Sequence, residues 1–188
     1  MDGLRPKMKG FGLLLVMLSL WLTACSGDDR EEARSVGVES GQGVTAIGTP
    51  EIRIDFSLRE LDGELRTLSE WDGDVVLLNF WAPWCPPCVR EMPAFVELQE
   101  RYGEAGFTIV AVAIDDEQNV RDFIDNMLGV NFPVLMGDAD GMELTRQYGN
   151  RLGALPYSVL YDRQGKIIHT HRSELHLEDA VQLIEPLI

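Results

Sequence analysis

The sequence predicts an α/β domain in which a central mixed β-sheet is flanked by helices. Two continuous apolar runs, "VVLLNFW" (75–81) and "FTIVAVAI" (107–114), are bounded by turn residues and rich in β-branched side chains, as buried central strands are. Between them lies "PPCVREMPAFVELQERYGEAG", whose apolar positions Val89, Met92, Phe95, Val96 and Leu98 recur near helical spacing. Strand, helix, strand is a parallel crossover. Shorter alternating segments at both ends supply antiparallel partners.

Each element can be read in order. "IRIDFSL" (52–58) alternates apolar and polar like a half-exposed strand, and Asp62-Gly63 is a hairpin turn leading into "ELRTL". Asp72-Gly73 punctuates before the first central strand. In the long helix Gly103 is the expected stop, and Pro93 is expected to kink it and to serve packing. Downstream, "EQNVRDFIDNML" reads as a helix, "FPVLM" as a short strand and "GMELTRQYG" as a helix. "YSVLYD" and "KIIHTH" read as an antiparallel pair about the turn Asp162–Gly165, and "LEDAVQLIEPLI" as a terminal helix.

Outside this domain the chain is of a different kind. Arg5, Lys7 and Lys9 precede the apolar run Gly10–Ala24, which is shorter than the roughly 20 residues of a permanent bilayer helix and ends on small residues. Residues 1–24 therefore read as a secretory signal. Leu22, Thr23, Ala24 and Cys25 resemble a bacterial lipobox, which implies a lipid on Cys25 and attachment to a membrane through it. Residues 25–49 are acidic, Gly/Ser-rich and without apolar periodicity, so they read as a flexible tether, with a reach of roughly 25 Å for about 20 residues. Residues 50–188 form one domain with room for a core.

The full chain carries a formal charge of −15; loss of residues 1–24 leaves 13 basic against 30 acidic groups, or −17. That balance argues against nucleic acid as a partner and against electrostatic binding to anionic lipid.

Cys85 and Cys88 stand at the junction of a buried strand and a helix, in "WAPWCPPCVREMP". Unpaired N–H groups and the positive end of the helix dipole favour thiolate there, and thiolate is the species that attacks disulfides. Pro86 and Pro87 suit the first helical turn, where a missing N–H costs little. A staple across two residues would close too short a loop to add much stability. Covalent haem requires His after the second cysteine, where Val89 stands. Zinc requires a second ligand pair, and His169, His171 and His176 lie far along the chain. His169 and His171 can share a strand face as ligands, but two solvent-exposed histidines is the simpler account. Two soft thiolates can hold Cu(I), so a copper-handling module stays an alternative, as does a disulfide-forming oxidase.

With those residues in place, the domain resembles the TlpA/ResA-like branch of the thioredoxin superfamily, the extracytoplasmic thiol–disulfide oxidoreductases. "LLNFWAPWCPPCVREMP" is similar to the family's strand, active site and helix start, and "LGALPYSVLYDRQGKI" to its second signature. The resemblance covers essentially all of residues 50–188 and implies a thioredoxin fold with an N-terminal β-hairpin. It identifies Asp115–Asp138 as the helix–strand insert of this branch, and Asn79 as the position of a buried Asp in classical thioredoxins.

The same resemblance implies roles. Cys85 would be the nucleophile and Cys88 the resolving thiol of a redox-active disulfide. Glu91, one helical turn from Cys88, would exchange the resolving thiol's proton if burial raises its pKa; an exposed surface glutamate is the competing reading. Pro156 would be cis, face the dithiol and hold Leu155 ready to pair with an extended substrate segment. Trp81 and Trp84 would pack around the site, Trp84 also forming part of a docking surface.

Both residues between the cysteines are proline, supplying neither charge nor an N–H donor to a thiolate, and this points toward a reducing couple. The expectation is a membrane-tethered protein disulfide reductase on the periplasmic or outer side of a bacterial membrane. It would use no cofactor and no metal, draw on a thiol-reducing membrane electron donor, and act on disulfide-containing clients such as apocytochrome c in cytochrome c biogenesis or copper-site cysteines.

Overall fold

The computed structural model describes residues 50–127 and 129–188. The signal, the Cys25 lipobox and the tether fall outside the described residues. Seven strands form one mixed sheet in the order β2 (Leu65–Thr67), β1 (Ser57–Glu60), β5 (Val134–Met136), β4 (Phe107–Ala113), β3 (Val75–Trp81), β6 (Tyr157–Tyr161), β7 (Ile167–His171).

The two apolar runs form β3 (Val75–Trp81) and β4 (Phe107–Ala113), paired in parallel from Val75↔Phe107 to Trp81↔Ala113. Helix α1 (Pro86–Tyr102) makes the crossover between them. β6 (Tyr157–Tyr161) runs antiparallel to β3, and β7 (Ile167–His171) antiparallel to β6 beyond the Asp162–Gly165 turn. The Asp162 carboxylate closes that turn by accepting from the amides of Gln164 and Lys166. α2 (Glu117–Asn126) and β5 (Val134–Met136) form the insert. β5 pairs in parallel with β4 and antiparallel with β1, so the N-terminal hairpin reaches the sheet only through the inserted strand. α3 (Asp138–Gln147) and α4 (Leu177–Ile184) complete the layers.

Two local expectations change. The first strand, β1, is Ser57–Glu60 rather than 52–58 and pairs with β2 (Leu65–Thr67) across the Asp62-Gly63 turn. The alternating residues before it form a strap. Ile52 bridges to Lys166, and the phenol of Tyr148 donates to the Ile54 carbonyl (2.7 Å) and accepts from the Ile54 amide (3.0 Å). Gly103 closes α1 as its C-cap, as expected; a 3-10 turn follows at Gly103–Ala105, and Gly106, at φ 82°, makes the reversal into β4. Pro93 lies inside α1 but is exposed, so it serves no core packing, and the helix continues through it.

Period-two alternation sorts the central strands between two buried clusters. Val75, Leu77 and Trp81 of β3, Ile109, Ala111 and Ala113 of β4, and Leu160 of β6 meet Met92, Phe95 and Leu98 of α1. Val76, Leu78 and Phe80 face the other way, with Tyr148, Tyr157, Val159 and Tyr161. Asn79 and Ser158 therefore occupy apolar-stripe positions on the α1 side, and they are register partners across β3 and β6.

Candidate active site

The C-terminal end of β3 delivers the chain into Ala82–Trp84 and then the helix. Cys85 is the N-cap residue of α1; its amide donates to the Ala82 carbonyl (3.1 Å), and its carbonyl accepts from Val89 (3.1 Å). Because Pro86 and Pro87 fill the first two helical positions, the amide of Cys88 is the one N–H left ahead of Val89 in that turn. The two cysteines form a disulfide with Cα atoms 5.3 Å apart. Cys85 retains 4% exposure and Cys88 none, so of the pair only Cys85 borders solvent.

Glu91 follows Cys88 by one turn on the buried face of α1, where i and i+3 side chains are neighbours. It is 1% exposed, which settles the choice between a buried and a surface glutamate. Oε1 accepts from Asn79 Nδ2 at 2.8 Å, and Oε2 accepts from the Leu175 amide at 2.9 Å. Asn79 Nδ2 also donates to Ser158 Oγ at 3.0 Å, while Asn79 Oδ1 is buried with no partner. Burial raises the Glu91 pKa from 4.5 to about 7; the Leu175 amide and Asn79 pull against it, and the charge of Glu174 adds to it. A carboxyl with that affinity is half ionised near neutrality, the condition for a group that both takes and gives a proton.

The segment before α4 is fastened to the same helix. Arg90 holds the Glu174 carboxylate through Nε (2.8 Å) and Nη2 (2.7 Å), one residue before the amide that binds Glu91. Ser158, the Leu175 amide and the Arg90–Glu174 pair were not singled out from sequence. A lone serine inside the apolar "YSVLY" run, opposite an asparagine inside "VVLLNFW", is the signal that could have found the first of them.

Before β6, Pro156 is buried behind a cis Leu155–Pro156 bond, and Leu155 is half-buried against the cluster that contains both cysteines. The approach to it is built on Asn150, 1% exposed, whose amide donates to the Ala154 carbonyl (2.8 Å) and accepts from the Ala154 amide (3.2 Å). This holds Leu152 outward at 92% exposure. The two tryptophans part company: Trp81 is fully buried with its ring 5.1 Å from that of Phe123, whereas Trp84 is 62% exposed beside Cys85. Trp84 thus does not share the place of Trp81 in the core. His169 and His171 do share β7, with ring centroids 6.0 Å apart, but both are half-buried rather than exposed. Burial, and then the neighbouring His171, lowers the His169 pKa. Among the described residues no three His, Cys, Asp or Glu side chains are placed to hold a metal ion.

Comparison with known proteins agrees with this geometry. The profile of the Redoxin family matches residues 48–184. The chain is 37% identical over 137 residues to the thiol-disulfide oxidoreductase ResA of Halalkalibacterium halodurans, covering 71% of this chain and 75% of that protein. It is 32% identical over 178 residues to the thioredoxin-like protein YneN of Bacillus subtilis, covering 93% and 95%. Among solved structures, a putative thiol:disulfide interchange protein DsbE from Chlorobium tepidum superposes with a TM-score of 0.66 at 31% identity, over 74% of this chain and 96% of that one. The exposed lipoprotein thioredoxin Etrx1 of Streptococcus pneumoniae gives 0.62 at 28%, over 71% and 100%. A Cys-Pro-Pro-Cys disulfide at a helix N-terminus, in a seven-stranded mixed sheet with this ancestry, leaves one assignment: the chain belongs to the Redoxin family and is a thiol–disulfide oxidoreductase of the TlpA/ResA-like branch.

Proposed function

We propose that this oxidoreductase works as a reductant, tethered to the outer side of a bacterial membrane through a lipid on Cys25 and passing electrons to disulfides of selected extracytoplasmic proteins. The observation that carries the reading is the helix start: with proline at both positions between the cysteines, a Cys85 thiolate has the helix dipole but only the Cys88 amide of the first turn to stabilise it. A weakly stabilised thiolate makes a weakly oxidising disulfide.

In the reduced protein, Cys85 thiolate attacks a client disulfide, forming a mixed disulfide and expelling the client's first sulfur as thiolate. Glu91 carboxylate takes the proton of the buried Cys88 thiol. The Cys88 thiolate then attacks the Cys85 sulfur, closing the internal disulfide and releasing the client's second sulfur. That thiolate receives the Cys88 proton back from Glu91, and the first client thiolate takes one from solvent, so two electrons and one proton pass from the site to the client and both client sulfurs end as thiols. A membrane thiol donor restores the dithiol by the reverse exchange, entering at Cys85. Leu155 and Pro156 offer an extended client segment its backbone partner, and Trp84 an apolar one. Clients with paired cysteines kept for haem or copper, such as apocytochrome c, fit this chemistry. The membrane location is supported by the Cys25 lipobox and by a related protein described as an exposed lipoprotein.

The test is the reduction potential of the Cys85/Cys88 couple in the full-length protein, equilibrated in defined thiol buffers. A value near that of thioredoxin, about −270 mV, supports a reductant; one near that of DsbA, about −120 mV, overturns it, a separation of about 7 kcal/mol for two electrons. Trapping separates both from copper handling, since Cys88→Ala should accumulate client mixed disulfides through Cys85, whereas a carrier would trap none and lose Cu(I).

A further inference from the structure

The buried network under the dithiol contains one atom whose state is unexplained. Asn79 Oδ1 has no partner, although Nδ2 of the same amide donates twice, to Glu91 Oε1 at 2.8 Å and to Ser158 Oγ at 3.0 Å. This arrangement suits a carboxylate, which only accepts. Once Glu91 is a carboxylic acid its new O–H must donate. The neighbours that the structure gives its two oxygens, Asn79 Nδ2 and the Leu175 amide, are both donors.

A half-turn of the Asn79 amide removes the conflict. It exchanges Oδ1 for Nδ2 in the same positions and presents an acceptor to the Glu91 O–H. Ser158 follows without moving, because its hydroxyl rotates from accepting Nδ2 to donating to Oδ1. Three hydrogen bonds hold Glu91 and Asn79 in either state: Asn79 to Glu91, Asn79 to Ser158, and Leu175 N–H to Glu91. In both, the end of the amide turned away is the one without a partner. We infer that Asn79 is a positioning residue whose side-chain amide turns over with the protonation of Glu91, acting with Ser158 to receive both forms of that carboxyl.

The surroundings leave this role to Asn79. From β3 and β6 the groups facing Glu91 are the neutral Asn79 and Ser158; from the segment before α4 the nearest charge is Glu174, which Arg90 of α1 pairs. An aspartate at position 79 could donate only by holding a proton itself, and an apolar residue could serve neither form. The consequence for catalysis rests on Glu91 being the proton partner of Cys88, as proposed above.

The inference can be tested on the oxidised full-length protein by NMR, with labelled glutamate carboxyl carbons and labelled side-chain amides, across pH 5.5 to 8.5. The Asn79 amide resonances should move with the Glu91 carboxyl midpoint, and the contact from the Asn79 NH₂ protons to Ser158 should be present above that midpoint and lost below it. Contacts that stay the same on both sides would overturn the inference without recourse to any variant. Asn79→Leu removes a charge-assisted donor, so the Glu91 midpoint should rise by about one pH unit, and the pH profile of thiol exchange should move with it. An unchanged midpoint in a folded Asn79→Leu protein would also overturn it. Should the wild-type exchange rate ignore the Glu91 midpoint while the amide still turns, the proton-transfer reading falls and the inference about Asn79 stands.

Discussion

The two faces of the sheet bury polar groups in opposite ways. On the face away from α1, the Tyr157 phenol donates to the Tyr148 carbonyl at 2.6 Å, and the Tyr148 phenol spans both backbone groups of Ile54. Burial raises the pKa of Tyr148, and that of Tyr161 further still. Phenols pushed upward from an already high value simply stay protonated, so this face is chemically inert in the physiological range. On the α1 face, burial acts in the same direction on a carboxyl, but it starts at 4.5 and stops near 7. The same desolvation that locks one face makes the other exchange protons; the residue type decides which.

Four changes would break or sharpen this contrast. The largest effect is expected from Cys85→Ser, which removes the accessible sulfur: disulfide exchange should fall by on the order of 10³-fold or more, read as turnover with a disulfide substrate. Next is Glu91→Gln, which should slow the resolving step by roughly 10²-fold and flatten the pH–rate profile near 7. It should also change stability. The folded carboxyl binds its proton more tightly than the unfolded one, so its contribution is fully present below the unfolded value of 4.5 and is lost as pH rises through about 7. The loss integrates to about 3 kcal/mol. Denaturant unfolding at pH 5 and pH 8 should show it in the wild type and not in Glu91→Gln; equal slopes in both would refute the buried, proton-binding carboxyl. On the other face, Tyr157→Phe should cost about 1 kcal/mol and leave the pH–rate profile untouched. A displaced profile would mean the faces are coupled. Smallest is Arg90→Ala: the guanidinium is 58% exposed, and a solvent-screened pair of this kind is worth under about 1 kcal/mol.

How much of this could be read from the chain depends on whether a residue's neighbours are local. β3, β4 and α1 were legible because continuous apolar runs and a helical period are properties of contiguous residues. The cysteines were legible because their spacing and the flanking prolines carry the chemistry themselves. The strap at 52–56 was misread as part of a strand because its alternation is real, yet it meets only Tyr148 and the entry to β7, through the single bridge Ile52–Lys166, rather than a ladder along a neighbouring strand. Glu91 was named, but its burial rests on residues 12 and 84 positions away, Asn79 and Leu175. Trp81 and Trp84 look alike in the motif and separate only because one lies in the strand and the other in the loop after it.

The strap has a consequence in time. A chain made from its N-terminus produces residues 51–53 early, but their hydrogen-bond partners, Gly165 and Ile167, come more than a hundred residues later. The hairpin β1–β2 must likewise wait for β5 at 134–136 before it can join the sheet. This domain therefore cannot close progressively as it emerges. Its first residues stay unsecured until nearly its last have been made, which gives any machinery that must handle the chain unfolded a window of more than a hundred residues.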